Sequence, residues 1–268
     1  MNATIKVAIG LCVILALTLG MVSSAVAAPQ DENGPPLKLT VVALYSQAER
    51  VFGGIEGEVE QIGFIDEELY WQNPSVAYYV NLGKQNPTFL GGIRDSFVAW
   101  NGVATSFAAA YEGSTKSSPG SLQARWNRKT GSFAGGLNVV GWKNLAGKYA
   151  GAIGVTYIWS YQNILVEVDT ALNSSSQFRW WQTAGVTNPD TNVWPSGQVS
   201  PAYDVDVQNI MTHEAGHWLV LGDLYEENPQ FVTSDLYETM YGYASEYELQ
   251  KRSLESGDEA GIWTIYGT

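Results

Sequence analysis

The chain has 268 residues, enough for one large domain, and its 27 acidic against 14 basic side chains give a net charge of −13. Such an acidic surface argues against nucleic acid and anionic membranes as partners. The single cysteine, Cys12, rules out a disulfide framework.

Lys6 is the only charge before Asp31, an apolar stretch runs from Val7 to Val22, and small residues follow from Ser23 to Ala28. This pattern predicts a signal peptide over residues 1–27, because cleavage after Ala28 would place Pro29 at a poorly tolerated position. An uncleaved anchor is the alternative, although the stretch falls short of the about 20 residues a comfortable span needs. The expected product is a secreted monomer with no membrane attachment after cleavage and no thiol, Cys12 having left with the signal. Residues 28–70 read as a pro-segment or an extra subdomain, with Leu39–Tyr45 strand-like, and residues 71–268 read as the main domain.

Within that domain Val76–Val80 is strand-like. Ile93, Phe97, Trp100, Ala104, Phe107, Ala108 and Tyr111 then fall on one apolar stripe, which predicts a long helix. Leu122–Trp126, Leu137–Trp142, Ala152–Trp159 and Ile164–Asp169 are strand candidates, the last with clear alternation. Residues 174–205 show no periodicity and read as a long functional loop. A helix from about Val207 to Leu221 follows, with Asp206 as N-cap and Gly222 as terminator, and a last helix lies near Asp258–Tyr266. The class is α+β.

The chemistry concentrates in His213-Glu214-Ala215-Gly216-His217, which contains both histidines of the chain. On a helix, residues four apart share a face, so the two imidazoles can grip one tetrahedral ion. Glu214, rotated around the helix, can act as general base on a metal-bound water that attacks a peptide carbonyl. The bland alternative is two core histidines satisfied by hydrogen bonds, but burying both imidazoles and a glutamate in so apolar a helix is costly without a partner. With no other histidine or cysteine in the mature chain, the third ligand must be an oxygen donor. Asp223 is the first acidic residue after the helix, and Glu246 and Glu248 are the competitors. The acidic residues Asp223, Glu226, Glu227, Asp235 and Glu238 could also collect calcium, the alternative being a solvated loop.

The run from His213 to Asp223 resembles the extended zinc signature of the metzincins, with aspartate in the third ligand position as in the snapalysin type. Met240, in Glu238-Thr239-Met240-Tyr241-Gly242-Tyr243, is similar to the Met-turn. The chain end from Leu254 to Gly267 is similar to the closing helix of matrixin catalytic domains, and Val166–Asn173 to their substrate-pairing edge strand. The resemblance spans roughly residues 71–268. It implies a metzincin-like fold, a twisted mixed sheet with a backing helix and an active-site helix over a small C-terminal subdomain. It further implies a zinc endopeptidase with Glu214 as base and His213, His217 and Asp223 as ligands. The sequence departs from the pattern in two places. Val220 stands where a glycine is expected, which matters if that position is left-handed. Gly242 stands where some members carry a zinc-binding tyrosine, leaving Tyr241 and Tyr243 as candidates for transition-state or pocket roles. The matrixin cysteine latch is absent, so Asp66 or Glu67 would have to serve if residues 28–70 are inhibitory. A reading from another class is a secreted glycan-binding or cell-surface-binding protein with a vestigial zinc site, using Arg179, Trp180, Trp181 and Trp194 as stacking platforms.

Overall fold

Ser75–Asn81 alternates buried Val76, Tyr78 and Val80 with more exposed neighbours, and this period of two makes it a strand. The computed structural model describes residues 34–46, 65, 68–182, 202–225 and 237–267. The signal-peptide reading of 1–27 lies outside them. In chain order the strands are β1 (Lys38–Ser46), β2 (Ser75–Asn81), β3 (Ala108–Ser114), β4 (Arg125–Asn127), β5 (Ser132–Ala134), β6 (Asn138–Lys143), β7 (Ala152–Tyr161), β8 (Ile164–Asn173), β9 (Phe178–Trp181), β10 (Tyr203–Asp206) and β11 (Tyr243–Ala244). The α-helices are α1 (Phe89–Asn101), α2 (Val207–His217) and α3 (Ser256–Tyr266). Among the described residues, no helix is long and apolar enough to cross a membrane.

Seven strands form one mixed sheet in the order β11-β1-β7-β8-β6-β2-β3. Strand β7 runs antiparallel to both of its neighbours, and the remaining pairings are parallel. Helices α1 and α2 pack on each other, with Trp100 Nε1 donating to the Thr212 carbonyl at 2.8 Å and Ser96 Oγ to that of Gln208 at 3.1 Å. Tyr78, Phe97 and Trp218 interlock between sheet and helices. The architecture is α+β.

Three expectations are corrected. The long helix stops at Asn101, because the Asn101 side chain bonds both the N–H and the carbonyl of Ala109, each at 2.8 Å, and so starts β3. Ala104, Phe107, Ala108 and Tyr111 therefore lie outside it. Strand β8 is no edge: it lies between β7 and β6, and both faces are buried. Its acidic residues are inside because backbone amides of the preceding loop and of β6 meet them. Gln123 and Ala124 donate to Glu167, and Gly120 and Val139 donate to Asp169. Finally, residues 174–205 are not one loop, since β9 and β10 pair in parallel from its two ends. The region's residues 183–201, with Trp194, lie outside the described residues.

Candidate metal centre

Helix α2 begins where Asp206 accepts the Asn209 N–H at 2.9 Å, the predicted N-cap, and Arg252 Nε pairs with the same carboxylate at 2.8 Å. From Asn209 to His217 every residue is buried, so the polar members of this helix need partners inside the protein.

Each histidine finds one through Nδ1. His213 meets the Thr239 carbonyl at 2.7 Å and His217 the Leu221 carbonyl at 2.8 Å. A carbonyl only accepts, so both Nδ1 atoms carry the proton and both Nε2 atoms keep an open lone pair. Leu221 reaches its position through a Schellman turn. Its N–H returns to Gly216 at 3.2 Å and that of Val220 to His217 at 3.1 Å, while Val220 adopts φ +68°. The left-handed position is therefore real, and a β-branched residue occupies it at a cost of about 1–2 kcal/mol. Gly222 does not end the helix; Val220 does.

Past that turn, Asp223 Oδ1 lies 3.0 Å from His213 Nε2 and 3.4 Å from His217 Nε2. Among the described residues, none of the three atoms has a hydrogen-bond partner beyond this mutual contact. Donor atoms around a tetrahedral zinc, about 2.0–2.1 Å from the ion, sit roughly 3.3 Å apart, so the spacing fits. His213, His217 and Asp223 can hold a metal ion. Burial alone would raise the Asp223 pKa, but the facing His217 holds it below the usual range; Asp223 in turn raises His217 against the effect of burial.

Glu214 sits on the sheet side. Thr156 Oγ1 donates to its Oε2 at 2.6 Å, Thr156 and Thr170 hydroxyls meet at 2.7 Å, and Trp218 Nε1 donates to Thr170 at 2.9 Å. Thr156 has one hydrogen and gives it to the carboxylate, so it accepts from Thr170, and the order of donation is Trp218 to Thr170 to Thr156 to Glu214. Glu214 Oε1 is buried and has no hydrogen-bond partner among the described residues. It lies against Gly154 of β7, where an added Cβ would meet it at 2.2 Å.

Met240 lies beneath the helix, where a Cβ on Gly216 would meet its sulfur at 2.2 Å. Its turn is tied to α3, with Asp258 accepting the N–H of Thr239 at 2.8 Å and of Met240 at 3.1 Å. Glu238 reaches the other way to the N–H groups of Gly257 and Asp258.

The remaining candidates separate. Tyr241 packs its ring near Lys251 Nζ and Tyr243 lies in β11; the tyrosine on Asp223 is Tyr225, whose hydroxyl donates to Oδ2 at 3.0 Å. Glu246 bonds the Asp204 N–H, and Glu248 bonds Asn209, Ser245 and Lys251, so neither faces the histidines. Of the acidic stretch considered for calcium, Glu226, Glu227 and Asp235 lie outside the described residues, as do Asp66 and Glu67. Arg179 and Trp181 both engage Asp204, and Trp180 Nε1 donates to the Asn173 carbonyl.

Sequence reasoning missed Thr156, Thr170, Gly154, Tyr225 and Asp258. A glycine inside a strand does signal close approach, and Gly154 carries that signal. Compared with models of known protein families and with curated proteins, the sequence matches none. Fold and site together define an α+β protein with a buried His-His-Asp cluster suited to a metal ion.

Proposed function

We propose that the protein is a secreted zinc endopeptidase of the metzincin type, with His213, His217 and Asp223 as the metal-holding residues. The observation that carries this reading is the convergence of two imidazole Nε2 atoms and one carboxylate oxygen, none with another hydrogen-bond partner among the described residues, beside the carboxylate of Glu214. Two nitrogens and one oxygen are a donor set that suits zinc. Zinc bound there supplies Lewis acidity, polarising a peptide carbonyl and acidifying water beside it. The proton traffic falls to Glu214. Its free Oε1 takes a proton from the attacking water while Thr156 holds Oε2, and the proton then passes to the amide nitrogen as the C–N bond breaks.

The test combines metal analysis with hydrolysis of labelled casein followed over hours. About one zinc per chain is expected, weakened in Asp223→Ala and retained in Glu214→Ala, whose hydrolysis should fall by about 10³-fold. A well-folded chain that takes up no added zinc would end this reading.

A further inference from the structure

Strand β1 has a protein partner along each of its edges. It pairs antiparallel with β7 from Lys38↔Ser160 to Tyr45↔Ala152, and Tyr45 and Ser46 pair in parallel with Tyr243 and Ala244 of β11. An extended peptide that joins a sheet makes the same backbone ladder and sends alternate side chains into pockets.

The slot lies on the metal centre. Leu44 is opposite Gly154, the residue against which Glu214 Oε1 rests. Tyr45 is opposite Tyr243, whose ring lies 5.5 Å from that of Tyr225, the hydrogen-bond donor to Asp223. Leu44 is fully buried with Ile153 of β7, Ala244 of β11 and Ile210, one turn before His213 on α2. Yet residues 38–46 include no histidine, cysteine, aspartate or glutamate, so the strand offers the metal no side-chain ligand of these types. The Nε2 atoms of both histidines and Oε1 of Glu214 are closed to solvent.

We propose that β1 is an internal occupant of the peptide-binding slot, held by backbone pairing and by the Leu44 side chain, and that it must leave before substrate enters. The inference rests on the peptidase reading. The substrates admitted are extended peptides that place a leucine-sized aliphatic side chain where Leu44 now sits. Latency here needs no metal-binding latch.

The test uses the full chain in two forms. Ala43 and Val155 are directly opposite, within disulfide reach for an antiparallel pair, so Ala43→Cys with Val155→Cys locks the strand in place. Leu44→Asp loosens it. Casein hydrolysis should fall at least tenfold in the oxidised lock and recover on reduction, and should rise at least tenfold in Leu44→Asp. Equal activity of the lock before and after reduction, with the disulfide verified by mass, would overturn the inference and leave the peptidase reading intact. Binding is read separately in a Glu214→Ala background, with a fluorescent peptide of residues 38–46 as probe. The Leu44→Asp chain should bind it at least tenfold more tightly than the chain with Leu44. That result without hydrolysis in any form keeps the occupied slot and removes the peptidase reading. Equal affinity removes the occupied slot.

Discussion

The Nδ1–H of His217 donates to the carbonyl of Leu221 at 2.8 Å, four residues further along the same stretch of chain. That carbonyl faces the ring because Val220, just before it, adopts φ +68°. Orientation of a candidate ligand is thus bought with local strain. The Val220 side chain is fully buried, so truncation to alanine loses about 1.6 kcal/mol of burial and truncation to glycine roughly 0.8 kcal/mol more. Against that, removing Cβ from a left-handed position relieves about 1–2 kcal/mol. Val220→Gly is expected to be at least as stable as Val220→Ala, reversing the usual order in which glycine is worse by roughly 0.5–1 kcal/mol. Urea unfolding of the pair checks this, and a clearly more stable alanine variant would remove the strain argument.

Thr156 fixes one oxygen of Glu214 and leaves the other open. Thr156→Val keeps the shape and removes the donor. Hydrolysis is expected to fall by about 10–100-fold, with zinc content unchanged and stability lower by about 1–3 kcal/mol for the buried carboxylate oxygen left unpaired. Loss of zinc along with activity would place Thr156 in metal retention instead.

The Glu238 carboxyl is pushed up to about 7 by burial and by the neighbouring Asp258. Its ordinary value is 4.5. Between these values the folded state binds more protons than the unfolded one. The contribution of this group to stability is therefore greatest below about 4.5 and falls as pH rises towards about 7, with a slope of at most about 1.4 kcal/mol per pH unit. Glu238→Gln should flatten that part of the profile. Urea midpoints at about pH 5 and about pH 8, for both chains, give the comparison; an unchanged slope would refute it.

Asp258 accepts three backbone N–H groups, from Thr239, Met240 and Glu255. Asp258→Ala leaves all three without that acceptor, and an expected loss of about 3 kcal/mol follows from charged hydrogen bonds alone. The Thr239 carbonyl also orients His213, so zinc affinity should fall with stability. Calorimetry and zinc titration on the same sample test both, and a chain that loses stability while keeping full affinity would uncouple the turn from the metal centre.

The centre was legible because its chemistry is local. Two histidines four apart and the first acidic residue beyond the helix are read without knowing the fold, and the fold brings their donor atoms together. The end of α1 was not legible. Phe107 and Tyr111 continue a helical spacing, and only the Asn101 to Ala109 pairing turns them into the approach and body of a strand. The place of β1 was likewise hidden. Leu39–Tyr45 reads as a strand, but nothing in its composition says that it lies between β7 and β11. Spacing from Met240 points to Tyr241 and Tyr243 and says nothing about Tyr225, the ring that folds back onto Asp223.

The hydroxyl chain behind Glu214 begins at an indole, and tryptophan has a hydrogen to give but no lone pair to receive one. The direction of the row is set at its other end: the Glu214 carboxylate takes the one hydrogen of Thr156, so Thr170 gives its own to Thr156 and receives one from the indole. Every hydrogen in the row thus points at Oε2, which leaves Oε1 as the oxygen an incoming proton can take without disturbing it.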